Sequence, residues 1–174
     1  MKQKILYSTF AIFAAIAGWF WQSASWQTVK NPAVAALVAG PWLEANGTSV
    51  RLANDGKTIL VVNFWATWCP PCIKEMPELS ALATEFSSKK VQFVGIGIDS
   101  ASKIREFSSK ISISYPLVVS GFDGAEVAKN LGNVKGGLPF TVLIDANGTI
   151  FETIEGIVDI AALRGKLALI AANK

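Results

Sequence analysis

The segment T-I-L-V-V-N-F-W, residues 58–65, runs straight into A-T-W-C-P-P-C, residues 66–72, and both cysteines of the chain fall in that second stretch. The first segment carries no charge and is rich in β-branched and aromatic side chains, the composition and length of a fully buried strand. From Cys72 onward Met76, Leu79, Leu82, Ala83 and Phe86 recur at helical spacing, as on a helix with one face turned to a core. A buried strand that hands over at once to a helix is one arm of a βαβ unit. It restricts the chain to a sheet covered by helices.

The sequence downstream fits that restriction. V-Q-F-V-G-I-G-I (91–98) reads as a strand, 101–110 as a helix, Y-P-L-V-V-S (115–120) as a short strand and 124–131 as a helix. F-T-V-L-I-D (140–145), the turn A-N-G and T-I-F-E-T-I-E-G (149–156) read as a β-hairpin. Ile160, Leu163, Leu167 and Ile170 mark a closing amphipathic helix. Upstream, T-S-V-R-L (48–52) and the turn N-D-G-K predict a short strand paired in a hairpin with 58–65. The expected fold class is α/β: a mixed central sheet with helices on both faces, spanning residues 47–174. With 174 residues, 51% of them hydrophobic, the chain has material for one such core and an appendage.

The appendage is N-terminal. Lys2 and Lys4 precede a charge-free stretch from Ile5 to Trp21, which at 1.5 Å per residue sits at the short limit for crossing a hydrocarbon core about 30 Å thick. Length alone also admits a cleavable signal. Residues 22–26, Q-S-A-S-W, make a poor small-x-small cleavage site, and Trp19, Trp21 and Trp26 sit as an aromatic belt would. The expectation is a signal anchor over 1–26, single-pass in the inner membrane. With the lysines held in the cytoplasm, the remainder faces the periplasm or cell exterior. Residues 27–46, with Pro32, Gly40 and Pro41, read as a linker with one helical turn at 33–39.

Charge and composition exclude several chemistries. The net charge of +3 is scattered, with no run of five or more basic residues, so nucleic acid is not an expected partner. Histidine is absent, and two cysteines supply half the ligands of a structural zinc site, so no metal site is expected. Residue 73 is Ile, which separates the pair from the C-x-x-C-H of haem attachment.

What remains is thiol chemistry. Cys69 falls where the strand ends and the helix begins, where unpaired backbone N–H groups and the helix dipole favour a thiolate. That marks Cys69 as a nucleophile. Cys72 lies one turn further on, close enough to close a disulfide. Pro70 and Pro71 occupy the first helical positions and take away two N–H donors, leaving mainly those of Cys72 and Ile73 for the Cys69 sulfur. A moderately lowered thiol pKa suits a reductant better than a strong oxidant. A disulfide over so short a loop does little as a structural brace. Outside the cytoplasm thiols tend to oxidise, so an exported C-x-x-C requires an electron source.

N-F-W-A-T-W-C-P-P-C resembles the active site of the thioredoxin fold. C-I-K-E-M-P-E-L (72–79), G-I-G-I-D (95–99) and G-G-L-P-F-T-V-L-I-D-A-N-G (136–148) resemble the TlpA/ResA-like branch of that superfamily, from Gly47 to the C-terminus. The resemblance implies thiol-disulfide reductase activity on disulfide-bearing exported proteins, apocytochromes c among them. It also implies electrons from a transmembrane thiol donor, and no cofactor beyond a redox-active Cys69–Cys72 disulfide. It makes Cys69 the attacking thiol, Cys72 the resolving thiol, Trp68 a wall beside them, and Pro139 a cis proline facing them. The Leu138 backbone would pair with the incoming peptide. Where thioredoxin has a buried acid, six residues before the first cysteine, this chain has Asn63, which cannot take a proton. The branch shares that absence and has a glutamate at the place of Glu75. Glu75 has two readings, a surface acid near the helix N-terminus stabilised by the dipole or a proton acceptor for Cys72. The peroxiredoxins share the fold and form the rival class, but they need a threonine three residues before the nucleophile, where Ala66 stands. A third reading, a non-catalytic module that binds thiol clients, would have no need of Cys72.

Overall fold

The computed structural model describes residues 31–172; the anchor expected over 1–26 lies outside them. The elements run α1 (Pro32–Ala39), β1 (Trp42–Glu44), β2 (Ser49–Val50), β3 (Ile59–Trp65), α2 (Pro70–Phe86), β4 (Val91–Gly97), α3 (Ala101–Ser108) and β5 (Leu117–Val119). A 3-10 turn (Gly121–Asp123) leads to α4 (Gly124–Asn130), β6 (Phe140–Ile144), β7 (Ile150–Glu155) and α5 (Ile160–Ala172). The strands form one sheet in the order β2-β1-β5-β4-β3-β6-β7. β3, β4 and β5 are parallel, and the other pairings are antiparallel. This is the expected mixed sheet.

β3 lies between β4 and β6 with all seven residues buried, which is why its sequence shows no alternation. Its side chains nonetheless divide by pleat. Ile59, Val61 and Trp65 enter one core with Met76, Leu79 and Phe86 of α2, Ile104 of α3 and Leu163 and Leu167 of α5. Leu60, Val62 and Phe64 enter the other with Val34 and Leu37 of α1 and Ala128 of α4. Helices therefore cover both faces. Asn63, in the odd-numbered set, is directed toward α2, and that direction matters for the site. Among the described residues, no helix is long and apolar enough to cross a membrane.

Two expectations need correction. Residues 32–44 are not a linker but part of the domain. Asn31 caps α1 through Oδ1, accepting from Ala33 N at 2.9 Å and Val34 N at 3.4 Å. Pro32 takes a first-turn position, where a missing N–H costs nothing. Val34 and Leu37 are 1% and 2% exposed, the Trp42 indole donates to Leu37 O at 2.9 Å, and β1 pairs with β5. A helix whose residues are nearly all apolar shows no polar face, so its prolines read as breakers when they are a start and a stop.

The second correction concerns β2, which pairs with β1 and not with β3. The turn that joins them is Asn46-Gly47, with Gly47 at φ 90° and Gly47 N donating to Glu44 O at 2.9 Å. Only glycine adopts that backbone without strain. Asn54-Asp55-Gly56 does turn, with Asp55 accepting from Lys57 N and Thr58 N at 2.9 and 2.8 Å, but both edges of β3 are already taken by β4 and β6.

If α1 is structural, Leu37→Ala leaves a cavity and lowers the unfolding free energy of the full-length protein by about 2–5 kcal/mol, measured by urea denaturation. A change below about 0.5 kcal/mol, the surface range, would return this stretch to the role of a tether.

Candidate active site

The C-terminal ends of β3, β4, β5 and β7 and the N-terminal end of β6 share one edge of the sheet. Cys69 stands there as the N-cap of α2, in an extended conformation of φ −103° and ψ 95°. Pro70 and Pro71 follow with no N–H to donate, and Cys72 N donates to Cys69 Sγ at 3.3 Å. Ile73 N, expected at the sulfur, donates instead to the Cys69 carbonyl at 3.2 Å, as an ordinary helical bond does. One N–H therefore serves the sulfur. Cys69 and Cys72 form a disulfide with Cα atoms 5.3 Å apart. Cys69 is 4% exposed and Cys72 fully buried, so what little of the pair is open to solvent belongs to Cys69. α2 runs as one helix through Pro77.

The loop before Cys69 is held from β4. Thr67 Oγ1 donates to Asp99 Oδ2, Asp99 Oδ1 accepts from Ser100 N at 2.7 Å, and Ile98 N donates to Trp65 O at 2.8 Å. Burial pushes the Asp99 carboxyl upward. The Thr67 hydroxyl, the Ser100 N–H and the Lys103 charge outweigh burial, so the group stays ionised below the usual carboxylate range. Sequence reading missed Asp99 and Thr67. The available signal was an acid at the very end of an apolar strand, in G-I-G-I-D. Trp68, next to Cys69, is 60% exposed.

The Leu138–Pro139 peptide bond is cis. Phe140 pairs with Phe64, which sets Pro139 alongside Trp65 at the same end of the sheet as the cysteines. Gly156 N donates to Pro139 O at 2.9 Å, and Asn133 Nδ2 donates to Gly137 O at 2.9 Å, fixing this loop from both sides. Leu138 is half-buried and packs against both cores.

Glu75 is 2% exposed and is no surface acid. Its Oε1 accepts from Asn63 Nδ2 at 2.8 Å and its Oε2 from Val158 N at 2.9 Å. Asn63 Nδ2 also donates to Thr141 Oγ1 at 3.0 Å. Asn63, read from sequence only as a group unable to take a proton, is thus the donor that seats the carboxylate. Burial raises the Glu75 pKa, the two N–H donors offset part of that, and Glu78 adds to the rise. The site thus holds a carboxyl above its ordinary range one helical turn from a buried cysteine.

Residues 28–164 match the Redoxin family. The chain belongs to the Redoxin family. Within 130 residues this Redoxin-family chain is 32% identical to the thiol-disulfide oxidoreductase ResA of Oceanobacillus iheyensis, over 74% of its own length and 65%, just under two thirds, of that relative's. A thioredoxin-family thiol:disulfide interchange protein from Chlorobium tepidum superposes with a TM-score of 0.65 at 24% identity, over 76% of this chain and 92% of that one. StoA from Bacillus subtilis gives 0.59 at 22%, over 72% and 93%. At those identities the likeness is one of fold, and the fold is thioredoxin-like.

The raised pKa of Glu75 has a signed consequence. Above the ordinary value of 4.5 the unfolded chain loses this proton while the folded Redoxin-family domain retains it. Wild type therefore loses stability relative to Glu75→Gln as pH climbs from 4.5 through the folded value, and the difference is constant beyond it. Urea titrations of both proteins between pH 4 and 8 check this. A difference independent of pH would mean that Glu75 titrates normally.

Proposed function

We propose that this protein is an exported, membrane-tethered thiol-disulfide oxidoreductase that reduces disulfides of extracytoplasmic proteins. The observation that carries the proposal is the Cys69–Cys72 disulfide at the N-cap of α2, on the sheet edge that also holds cis-Pro139, with buried Glu75 one turn beyond Cys72. The likeness to ResA, whose name is that of a thiol-disulfide oxidoreductase, supports the same chemistry.

In the reduced protein the Cys69 thiolate attacks one sulfur of a client disulfide. A mixed disulfide forms and the other client sulfur leaves as a thiolate. Cys72 then gives its proton to Glu75, attacks Cys69 Sγ, and expels the second client sulfur. The client gains two electrons and the protein ends as the disulfide. A transmembrane thiol donor restores the dithiol. Trp68 and Leu138 flank the approach, and the Leu138 backbone pairs with the client peptide beside Pro139. Apocytochrome c, whose C-x-x-C-H must be reduced before it takes haem, is the client the family resemblance favours. The apolar Ile5–Trp21 stretch supports an inner-membrane tether, with the domain on the outer side. A peroxidase reading finds no hydroxyl at Ala66, and the neighbouring Thr67 hydroxyl is engaged with Asp99.

Three measurements test the proposal. Cys72→Ser in the exported full-length protein should accumulate client mixed disulfides on Cys69, and none forming would overturn the exchange chemistry. Glu75→Gln should leave the first attack nearly intact and slow release of the mixed disulfide, on the order of the 10²-fold low end for general base catalysis, in stopped-flow work that separates the two steps. Equilibration with glutathione should give a potential nearer thioredoxin, about −270 mV, than DsbA, about −120 mV, because prolines take two donors from Cys69. A value more oxidising than about −180 mV would contradict reductase function.

A further inference from the structure

The two ends of the sheet differ in what they expose. At the end opposite the disulfide, the turn between β6 and β7 and the last turn of α5 leave a cleft of about 420 Å³, lined by Phe151, Leu169 and Ile170 together with Gly56 and Asp145–Asn147. Phe151 and Leu169 remain 48% and 59% exposed. Lys57 follows Gly56 in the chain, and Lys89 and Lys90 lead into β4 alongside, where Ile59 N donates to Lys90 O at 2.9 Å. All three lysines are exposed, and among the described residues none of them is in an ion pair. The acids beside the cleft are Asp55 and Asp145. Each is held by two backbone N–H groups, from Lys57 and Thr58 and from Asn147 and Thr149. An apolar patch rimmed by unpaired cations is suited to anionic lipid headgroups.

The chain enters the domain near this same end. Val34 of α1 lines a second cleft there with Thr58, Ile144, Ala146 and Gly148, and Asn31 caps that helix less than one turn earlier, about 4.5 Å along its axis. On the tether reading the anchor ends at Trp26, and only residues 27–30 separate it from Asn31. From Trp26 to Asn31 the chain reaches at most about 18 Å. A domain of this size has a radius of gyration of about 14 Å and is roughly 35 Å across, so the leash keeps the entry end close to the headgroups. β3, which runs from this end toward the disulfide, is itself about 20 Å long.

We infer that the end of the domain bearing Lys57, Lys89, Lys90, Phe151 and Leu169 rests on the anionic bilayer surface and turns the disulfide outward, toward clients in solution. This rests on the membrane tether proposed above. The leash brings lipid to this surface in every molecule, which no soluble partner matches. The disulfide edge is also apolar, with Trp68, Phe122, Val134 and Ile157 exposed, but its charges suit a different occupant. Asp99, Asp123, Glu126 and Asp159 outnumber Lys103 there. Lys74 is offset by Glu78, and Lys135 is paired with Glu155. Anionic headgroups repel that edge and attract the other, so charge sets the tilt that the leash leaves open. The attraction acts over about 8 Å at physiological salt, a gap the leash lets the domain close.

The test places the full-length protein in nanodiscs of phosphatidylglycerol and phosphatidylcholine that carry a gadolinium-chelate lipid, and reads the backbone amides by NMR. Amides of Lys57, Lys90, Asn147 and Leu169 should broaden far more than those of Trp68, Phe122 and Val134. Combining Lys57→Gln, Lys89→Gln and Lys90→Gln should even out the broadening, each lysine contributing about fivefold to the ratio of docked to undocked domain. Discs of phosphatidylcholine alone should do the same, and so should Leu169→Ser, with no change of charge. Disulfide exchange of the triple variant with oxidised glutathione should keep the wild-type rate; slower exchange would mark a damaged fold, and Leu169→Ser then decides. Broadening strongest at Trp68 and Phe122, or even across the wild-type domain, overturns the docking while the tether stands, because the protein still co-elutes with the discs. A gradient that survives both the variants and the neutral lipid overturns it as well, since the leash alone then orients the domain. Protein that does not associate with the discs at all overturns the tether and the docking together.

Discussion

The carboxylate of Glu75 is the contact on which the rest of the site depends. It sits on α2 and takes one N–H from Asn63 of β3 and one from Val158 in the loop between β7 and α5. Asn63 in turn donates to Thr141 of β6. Four segments distant in sequence are thus joined around a group that would be very costly to bury without partners. The same loop reaches the cis proline through Gly156 N and Pro139 O. Moving Glu75 therefore disturbs the helix that carries Cys72, the central strand and the loop that carries cis-Pro139 together.

How much of this was legible in the sequence depends on whether the signal was local. Strand β3, helix α2 and the cysteines at their junction could be read because a buried strand and an amphipathic helix each announce themselves within a few residues, and Cys69 marks the change of period. The cis conformation before Pro139 came from family resemblance, since no local rule distinguishes it from an ordinary turn after two glycines. Helix α1 was expected as a turn at 33–39 but assigned to a tether, because its sequence P-A-V-A-A-L-V-A has no polar residues to set off a core-facing stripe. The partner of β2 was misread because strand pairing is a competition among all edges: Asn54-Asp55-Gly56 and Asn46-Gly47 are both good turns, and only the occupancy of β3 by β4 and β6 decides between them. Thr67 had no local signal of function, and Asp99 had only that of an acid closing the apolar strand G-I-G-I-D. Their roles come from which atoms tertiary packing brings to them.

Two carboxylates serve the site, and their surroundings drive them apart in the way that separates acid and base roles elsewhere. Asp99 is surrounded by a hydroxyl, an N–H and a lysine, which together overcome burial and keep it ionised. It holds the Thr67 loop and has no cause to change protonation near neutral pH. Glu75 lies in an apolar core with two N–H donors and no cation among the groups that shift it, so burial prevails and it is ready to hold a proton. The division matches that of the sulfurs. Cys69, at the helix N-cap and nearer to solvent, gains its reactivity from the N-terminal dipole and needs only a fixed loop. Cys72 is fully buried, has no such help, and on the proposed reaction needs a base. A single carboxylate could not do both: one ionised firmly enough to anchor the loop would be too weak a base for a buried thiol, and one basic enough for the thiol would let go of the loop each time it was protonated.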